Sequence, residues 1–367
     1  SCMAMTQKLH AWIARQWQHR GIWAYTTWPL ARIYQYFANK ARDAYRTGSK
    51  APYRAPVPVV VVGNIYVGGT GKTPVTCGLA QILQELGYTP GLVSRGYGRR
   101  QTTLPATGQG LHLDWQTYGD EPALIALRTG MPVSAHANRA LAAKHLLQQY
   151  PEVDIILSDD GLQHHGLTRD FEILVQDERG VGNGWVLPAG PLREPPSRLS
   201  EVDLVVQRCE HLNKVTTDTN AETSAETAEQ RAAPITLAFS VALTHWQHAA
   251  SGQIVAAHEL KPSLTLKAPV VAVAAIGVPV RFFQSISELG IDLDARFALA
   301  DHKPISQDWL EQQTAGTILM TEKDAVKLPS IHDQRIWVAQ TTTLWGSDDM
   351  AVFLKKQLTK SGINRLG

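Results

Sequence analysis

Cysteine is scarce in this chain: Cys2, Cys77 and Cys209 stand alone among 367 residues, an odd number with no C-x-x-C pair. That excludes a disulfide framework, fits a reducing compartment and leaves a cysteine-based zinc site without ligands. His164 and His165 lack metal-ligand spacing to any cysteine and do not restore one. Long apolar runs are missing as well. No uninterrupted apolar core lies near the start, so a cleavable signal peptide is not expected. The longest charge-free stretch of the amino-terminal region, Gly21 to Ala31, is half of the ~20 apolar residues that a membrane span requires. Net charge is only +2, which argues against a nucleic-acid partner. There is no internal repeat. Nor is there an Asn-Lys-x-Asp guanine signature: Asn213-Lys214-Val215-Thr216 fails at its fourth position, and Thr321-Glu322-Lys323-Asp324 differs at its first two.

What is present describes a folded chain. Apolar residues make up 44% and charged residues 19%, proportions that can bury a core, and the length allows two domains. The small net charge hides an asymmetry. Residues 1–54 hold nine Lys/Arg against the single acid Asp43, a balance of +8 that leaves −6 for the remainder. The same segment has Trp12, Trp17, Trp23 and Trp28, four of the ten tryptophans, and five of the ten tyrosines. Leu9, Trp12, Ile13 and Trp17 fall at helical spacing. A second helix is expected to start near Pro29, with Leu30, Ile33, Tyr34, Phe37, Ala41 and Tyr45 on its apolar face and Gly48 beyond its end. Basic charge, aromatics and an amphipathic stripe together describe helices lying on an anionic membrane surface; helices that merely cap the core are the alternative.

A β-branched run, Val59-Val60-Val61-Val62, feeds Gly63-Asn64 and then Tyr66-Val67-Gly68-Gly69-Thr70-Gly71-Lys72-Thr73 ahead of a helical pattern. This is the order a phosphate-binding loop needs. The strand aims the turn, glycines let backbone N–H groups surround phosphate oxygens, Lys72 reaches the terminal phosphates and the Thr73 hydroxyl ligates Mg²⁺. Tyr66 occupies the place where the general G-x-x-x-x-G-K-[ST] pattern has glycine, so the turn is a variant.

Strands are expected at 57–62, 91–94, 132–135, 153–158, 171–175 and 202–207, with helices at 72–86 and 139–149. A second set of strands follows at 235–239, 270–274, 317–320 and 335–338, with helices at 279–289 and 350–358. The alternation predicts an α/β protein of phosphate-loop type, a mostly parallel sheet flanked by helices, with a second, smaller α/β domain. The expected organisation is docking helices over 1–55, a nucleotide-binding domain over 56–208 and a domain closing over it from 209 to 367. The polar, low-complexity stretch 215–233 reads as a surface loop.

Several clusters carry chemistry. The strand ending in Asp159-Asp160 can deliver a carboxylate to Mg²⁺, with Gln163 and His164 one turn on; a helix cap is the competing reading. Asp120 and Glu121, opening a helix, can accept a hydroxyl proton and help hold the metal, or simply cap the helix. Arg95, Tyr97 and Arg99, interleaved with Gly96 and Gly98, suit a bulky anionic ligand, or form a solvated basic loop. His136, Asn138, Arg139 and Arg193 are candidates for the same crevice. Asp301-His302-Lys303 and Thr321–Asp324 are the densest polar clusters of the second half.

Taken in order, Gly63-Asn64 with Val67–Thr73, Ser94–Arg99, Gly119–Pro122, Asp159–His164, Leu187–Glu194, Asp301-His302 and Thr321–Asp324 resemble the tetraacyldisaccharide 4′-kinase family, the lipid A 4′-kinases. The resemblance covers most of the chain, and Tyr66 sits where that family does not require glycine. It implies an ATP-dependent, Mg²⁺-requiring kinase acting on the 4′-hydroxyl of a tetraacylated disaccharide 1-phosphate lipid. The implied place of work is the cytoplasmic face of the inner membrane of Gram-negative bacteria, with the protein peripheral. It further implies that Tyr66 through Thr73 bind ATP and that Thr73, Glu121, Asp159, Asp160 and Gln163 surround the metal. Asp120 becomes the general base, tuned by His302 on domain closure, and Lys72 a catalytic cation. Arg95, Tyr97, Asn138, Arg139 and Arg193 are left for the lipid headgroup. A phosphate-loop ATPase or GTPase switch in cofactor or metal delivery is the runner-up, and a peripheral binding protein with structural nucleotide is the third reading.

Overall fold

The computed structural model describes residues 9, 12–100, 102–210, 212, 235–260, 266–328 and 332–360, so the stretch 215–233 expected as a loop lies outside the described residues. In chain order the strands are β1 (Val59–Gly63), β2 (Pro90–Ser94), β3 (Ala106–Gly108), β4 (Val133–Ala135), β5 (Ile155–Asp159), β6 (Phe171–Gln176) and β7 (Leu204–Arg208). They continue with β8 (Ile235–His248), β9 (Ile254–Ala256), β10 (Val270–Ala274), β11 (Ala295–Ala298), β12 (Thr317–Thr321) and β13 (Ile336–Trp345). The helices that matter below are α1 (Ile22–Arg46), α2 (Lys72–Glu85), α3 (Trp115–Tyr118), α4 (Asp120–Thr129), α5 (Arg139–Gln149), α6 (Pro279–Glu288), α7 (Gln307–Gln312), α8 (Glu322–Ala325) and α9 (Asp349–Lys360). The protein is α/β with mostly parallel strands, as expected.

Contacts divide the chain into two compact units that alternate along the sequence. The first takes the described residues up to Lys72, those of Asp154–Ser240 and those from Trp345 on; the second takes Thr73–Val153 and Val241–Leu344. The consecutive blocks expected, with a boundary near residue 209, are not how the contacts fall. Residues 73–153 group with the later strands, and α9 groups with the phosphate loop. Sheet pairing selects neighbours through space, which a shift in composition along the chain does not report.

In the first unit the strands lie in the order β8-β7-β6-β1-β5, all parallel. The valines of β1 are buried throughout, as a central strand covered on both faces requires, and this is why the run shows no alternation. Register places Val62 beside Asp159 on one side and Ile173 on the other, so β1 and β5 end together. Phe353 of α9 meets Phe171 edge-on at 6.1 Å.

Helix α1 begins at Ile22, so Pro29 lies inside it and does not open it. Proline there removes one backbone donor, and the Thr26 and Thr27 hydroxyls donate to the Trp23 and Ala24 carbonyls in the turn it loosens. The apolar face is not the one that packs, so the core-capping alternative does not describe it. Ala24 and Ala31 are the buried positions, while Ile22, Tyr25, Leu30, Ile33, Tyr36 and Phe37 remain exposed, Ile22 at 85%. Small residues let the helix approach its neighbours closely, and the large apolar ones point to solvent. The segment is tied to its own unit by Trp17 Nε1 donating to the Pro188 carbonyl and by Tyr25 edge-on to Trp185.

In the second unit β2 pairs parallel with β4, and β3 runs antiparallel to β4. A separate parallel run, β11-β10-β12-β13, has two cores. Val270, Ala272, Ala274 and Leu319 enter one with Trp246 and Phe282; Val271, Val273, Ile318 and Met320 enter the other with Ile305 and Leu310. Alternate residues of one strand thus feed opposite faces, each covered.

Candidate active site

Two polar clusters form, one in each unit. The first grows from the end of β1. Gly68 and Gly71 have φ of +91° and +99°, a region that penalises side chains, and a Cβ on Gly71 would also come within 3.2 Å of Phe239. Asn64 organises the turn: its side-chain amide donates to the Gly68 carbonyl (3.1 Å) and the Thr70 hydroxyl (2.9 Å). Its Oδ1 accepts from Lys72 Nζ at 3.2 Å and from Arg193 Nη2. Arg193 arrives because residues 191–193 run beside the loop, with Val67 N–H donating to the Pro191 carbonyl and Arg193 N–H to the Ile65 carbonyl.

Asp160, just past β5, pairs with Lys72 Nζ at 3.2 Å and with Arg193 Nη2 at 2.8 Å. Burial pushes this carboxyl up, but the Lys72 and Arg193 charges outweigh it and hold the pKa far below the usual carboxylate range. Asp160 has a φ of +50°, uncommon for a residue with a side chain. Gln163 donates to the Asn64 carbonyl (3.1 Å) and to Glu194 (2.7 Å). Asp159 is buried at the tip of β5.

Tyr66, the variant position, has a structural role. Arg179 lies 4.4 Å from its ring centroid and donates to the Gly69 carbonyl, while the fully buried Asp177 carboxylate grips the same guanidinium. Gln18 donates to the Tyr66 hydroxyl at 3.3 Å. Arg179 is absent from the sequence-derived candidates; its only signal is Asp177-Glu178-Arg179 following a strand.

The second cluster forms where two glycine turns meet. A Cβ on Gly119 would lie 2.8 Å from the Gly96 Cα, so the loops carrying Tyr97 and Asp120 touch backbone to backbone. Asp120 opens α4 and is 3% exposed. His302 Nδ1 donates to its Oδ2 at 2.8 Å, and Lys327 Nζ lies 3.6 Å from that same oxygen. Its Oδ1 accepts the Glu121 backbone N–H at 2.9 Å. Burial alone would raise this carboxyl's pKa; the His302 hydrogen bond and the Lys323, His302 and Lys327 charges lower it on balance. Tyr97 packs on the His302 ring at 4.6 Å between centroids.

Lys323 bridges Glu121 (3.1 Å) and Asp301 (3.3 Å), and these acids with Asp120 raise its pKa against the effect of burial. His302 has a φ of +61°; with Asp160 it makes up the described non-glycine residues in the left-handed region. Asp120 and His302 therefore come together across 182 residues within one unit, so their pairing does not wait on the domain closure that the resemblance implies.

The remaining candidates are placed differently. Asn138 caps α5 by accepting the Leu141 N–H, and Arg139 is buried, donating to the His136 carbonyl. Arg95 is exposed beside Gly96, and Arg193 joins the phosphate-loop cluster. Glu121 is committed to Lys323, and Asp160 to its two cations. Among the described residues no three His, Cys, Asp or Glu side chains gather as a metal cage. The donor set still suits Mg²⁺ beside a nucleotide, because that ion takes one or two carboxylates and fills its shell with phosphate oxygens and water. Among the described residues no helix is long and apolar enough to cross a membrane.

A family model for tetraacyldisaccharide-1-P 4′-kinase matches residues 23–359. A tetraacyldisaccharide 4′-kinase of Bordetella petrii is 46% identical over 88% of each chain. One of Bordetella parapertussis is 45% identical over 94% of this chain and 96% of its own. The crystal structure of LpxK from Aquifex aeolicus in complex with ATP superposes with a TM-score of 0.71. It covers 91% of this chain and 99% of that one, at 23% identity, and so shares the fold. The match in sequence along nearly the whole length leaves one assignment: the chain belongs to the tetraacyldisaccharide-1-P 4′-kinase family.

Proposed function

We infer that this protein transfers the γ-phosphoryl group of ATP to the 4′-hydroxyl of a tetraacylated disaccharide 1-phosphate. The observation that carries the reading is the carboxylate–imidazole pair Asp120–His302, in a chain that also has a glycine-rich loop ending in Lys72-Thr73. The pair alone would serve water or an alcohol as proton donor; the match to the 4′-kinase family is what leaves the ATPase or GTPase alternative unfavoured.

In the reaction the bond from the γ-phosphorus to the ADP oxygen breaks and a bond to the sugar oxygen forms, while the hydroxyl proton passes to Asp120. His302 Nδ1–H orients that carboxylate and stabilises its charge before transfer. Lys72 and the loop N–H groups receive the phosphate oxygens, where Lys72 exchanges Asp160 and Asn64 for nucleotide. Thr73 and Asp159 are the oxygen donors best suited to Mg²⁺, with Asp160 and Gln163 following Asp159 in the chain; Glu121, paired with Lys323, is the remaining carboxylate assigned to the ion by the resemblance. Bound there, the ion would neutralise charge developing on the transferred group. Arg95 and Tyr97 are assigned to the lipid headgroup, in keeping with their exposure and with the packing of Tyr97 on His302.

The exposed apolar stripe of α1, with Arg32 and Lys40 on the same helix, supports docking on an anionic membrane surface at the cytoplasmic face. Docking spares the substrate a costly exit from the bilayer, since each CH₂ exposed to water costs about 0.8 kcal/mol.

Labelled ATP, Mg²⁺ and the acylated disaccharide 1-phosphate in detergent micelles test the reading. Label is expected on the lipid; label released only as inorganic phosphate, at a rate indifferent to the lipid, would overturn it. In sedimentation with anionic vesicles, Ile33→Ser with Phe37→Ser should lower the bound fraction several-fold, and an unchanged fraction would refute docking.

A further inference from the structure

Lys327 is fully buried, with its side chain 0% exposed, in the turn that follows α8. An ammonium group deprived of water is costly unless it is closely paired, and such pairs are poor stabilisers compared with apolar packing. Its neighbours are specific. Nζ lies 3.6 Å from Asp120 Oδ2, 3.6 Å from Asp324 Oδ1 and 3.5 Å from the Lys303 carbonyl.

Asp324 leads back to His302. Its carboxylate accepts the Ala275 N–H at 3.1 Å and the Thr321 hydroxyl at 2.7 Å, and the Ala275 carbonyl accepts the His302 N–H at 3.2 Å. Lys327 thus touches one member of the Asp120–His302 pair directly and reaches the other through Asp324 and the end of β10. His302 needs such a hold, because its left-handed backbone is unfavourable for a side-chain-bearing residue.

We propose that Lys327 is a positioning residue for proton transfer. It holds Asp120 Oδ2 by charge while His302 donates to the same oxygen, and with Asp324 it fixes the backbone that presents His302. The inference rests on Asp120 being the base. A counter-ion serving Asp324 alone would occupy the same volume without acting on turnover, and the two roles separate by experiment.

In the micelle assay Lys327→Met should lower kcat about 10²-fold, the scale of a misplaced catalytic group, with KM for ATP and lipid nearly unchanged. Lys327→Arg should recover part of the loss. Lys327→Met combined with Asp324→Asn removes the fully buried Lys327–Asp324 pair together and should regain most of the thermal midpoint lost by Lys327→Met alone, yet kcat should stay low. In an Asp120→Asn background Lys327→Met should cost nothing further, because the group it positions has already gone.

Recovery of kcat along with stability in the double variant would overturn the inference. So would an equal fold-loss with and without the Asp120 carboxylate, or failure of both methionine variants to fold, which would assign the lysine to the core alone. Asp120→Asn at wild-type turnover would remove the base reading instead, a result distinct from each of these.

Discussion

The two clusters use similar residue types to opposite ends. The Asp160 carboxylate sits between two cations, Lys72 and Arg193, at a glycine-lined turn, with Asp159 next in the chain and Glu194 reached through Gln163. Around Asp120 the carboxylates predominate: Lys323 and Lys327 face Asp120, Glu121, Asp301 and Asp324, four carboxylates against two cations before His302 is counted. The first arrangement attracts phosphate. The second repels it and keeps Asp120 ionised, the form in which a carboxylate can take a proton. Each contains a non-glycine residue with positive φ, Asp160 in one and His302 in the other, and in each that residue bonds the central group. Backbone strain is thus concentrated where a side chain must be aimed.

If the comparison is right, removing the central residue of each cluster should damage different steps. The largest effect is expected from Lys72→Ala, a loss of about 10³-fold or more in transfer together with weaker nucleotide binding. Asp120→Asn should cost about 10²–10⁴-fold in kcat while the nucleotide Kd, read by equilibrium dialysis, stays at the wild-type value. Equal loss of nucleotide affinity in both variants would break the comparison. A smaller contrast sharpens it. Arg193→Ala frees Asp160 to hold Lys72 alone and should raise KM for ATP about tenfold, with kcat within about threefold. Tyr97→Ala removes the ring packed on His302 and should lower kcat up to about tenfold at unchanged KM for ATP. A Tyr97 variant that altered only the ATP KM would place that residue in the wrong cluster.

How much of this was legible beforehand follows from sequence separation. The phosphate loop is local: the strand, the glycines and Lys72 lie within 14 residues, and β2 and β10 fall within a residue of expectation. The Asp120–His302 pair spans 182 residues and was reached by resemblance, since no periodicity joins such distant positions. Lys327 gave no signal, because a lysine after a short helix ordinarily reads as solvated and only the packing of α8 shows it buried. The stripe of α1 reads in the sequence either as a membrane-facing surface or as a core-capping face, and only packing separates the two: Leu30, Ile33 and Phe37 are exposed while Ala24 and Ala31 make the close approach. The resemblance gives Arg193 to the lipid headgroup; its pairing with Asp160 and Asn64 depends instead on how residues 191–193 run beside the phosphate loop.

The remaining effect concerns acid stability rather than turnover, and it decides whether the clusters' carboxylates can be read in a pH titration at all. His165, in the first unit, belongs to neither cluster. Its pKa is pushed down from the ordinary 6.5 to about 4 by burial and by the Arg169, Arg42 and Arg198 guanidiniums, with Glu172 opposing. Between those values the unfolded chain binds a proton that the folded chain refuses. Folding stability should therefore fall as pH drops through 6.5 and level off near 4, by about 2 kcal/mol once solvent screening of a partly exposed ring is allowed for. Asp120 and Asp160 have lowered pKa values, so their contribution is intact throughout that window and is lost only as pH falls further. His165→Gln should flatten the urea midpoint between about pH 5 and about pH 7.5 while leaving the steeper loss below about pH 4 in place. A variant that kept the wild-type slope over the upper window would mean that other groups titrate there, and the two clusters could then no longer be separated from the rest of the protein by pH alone.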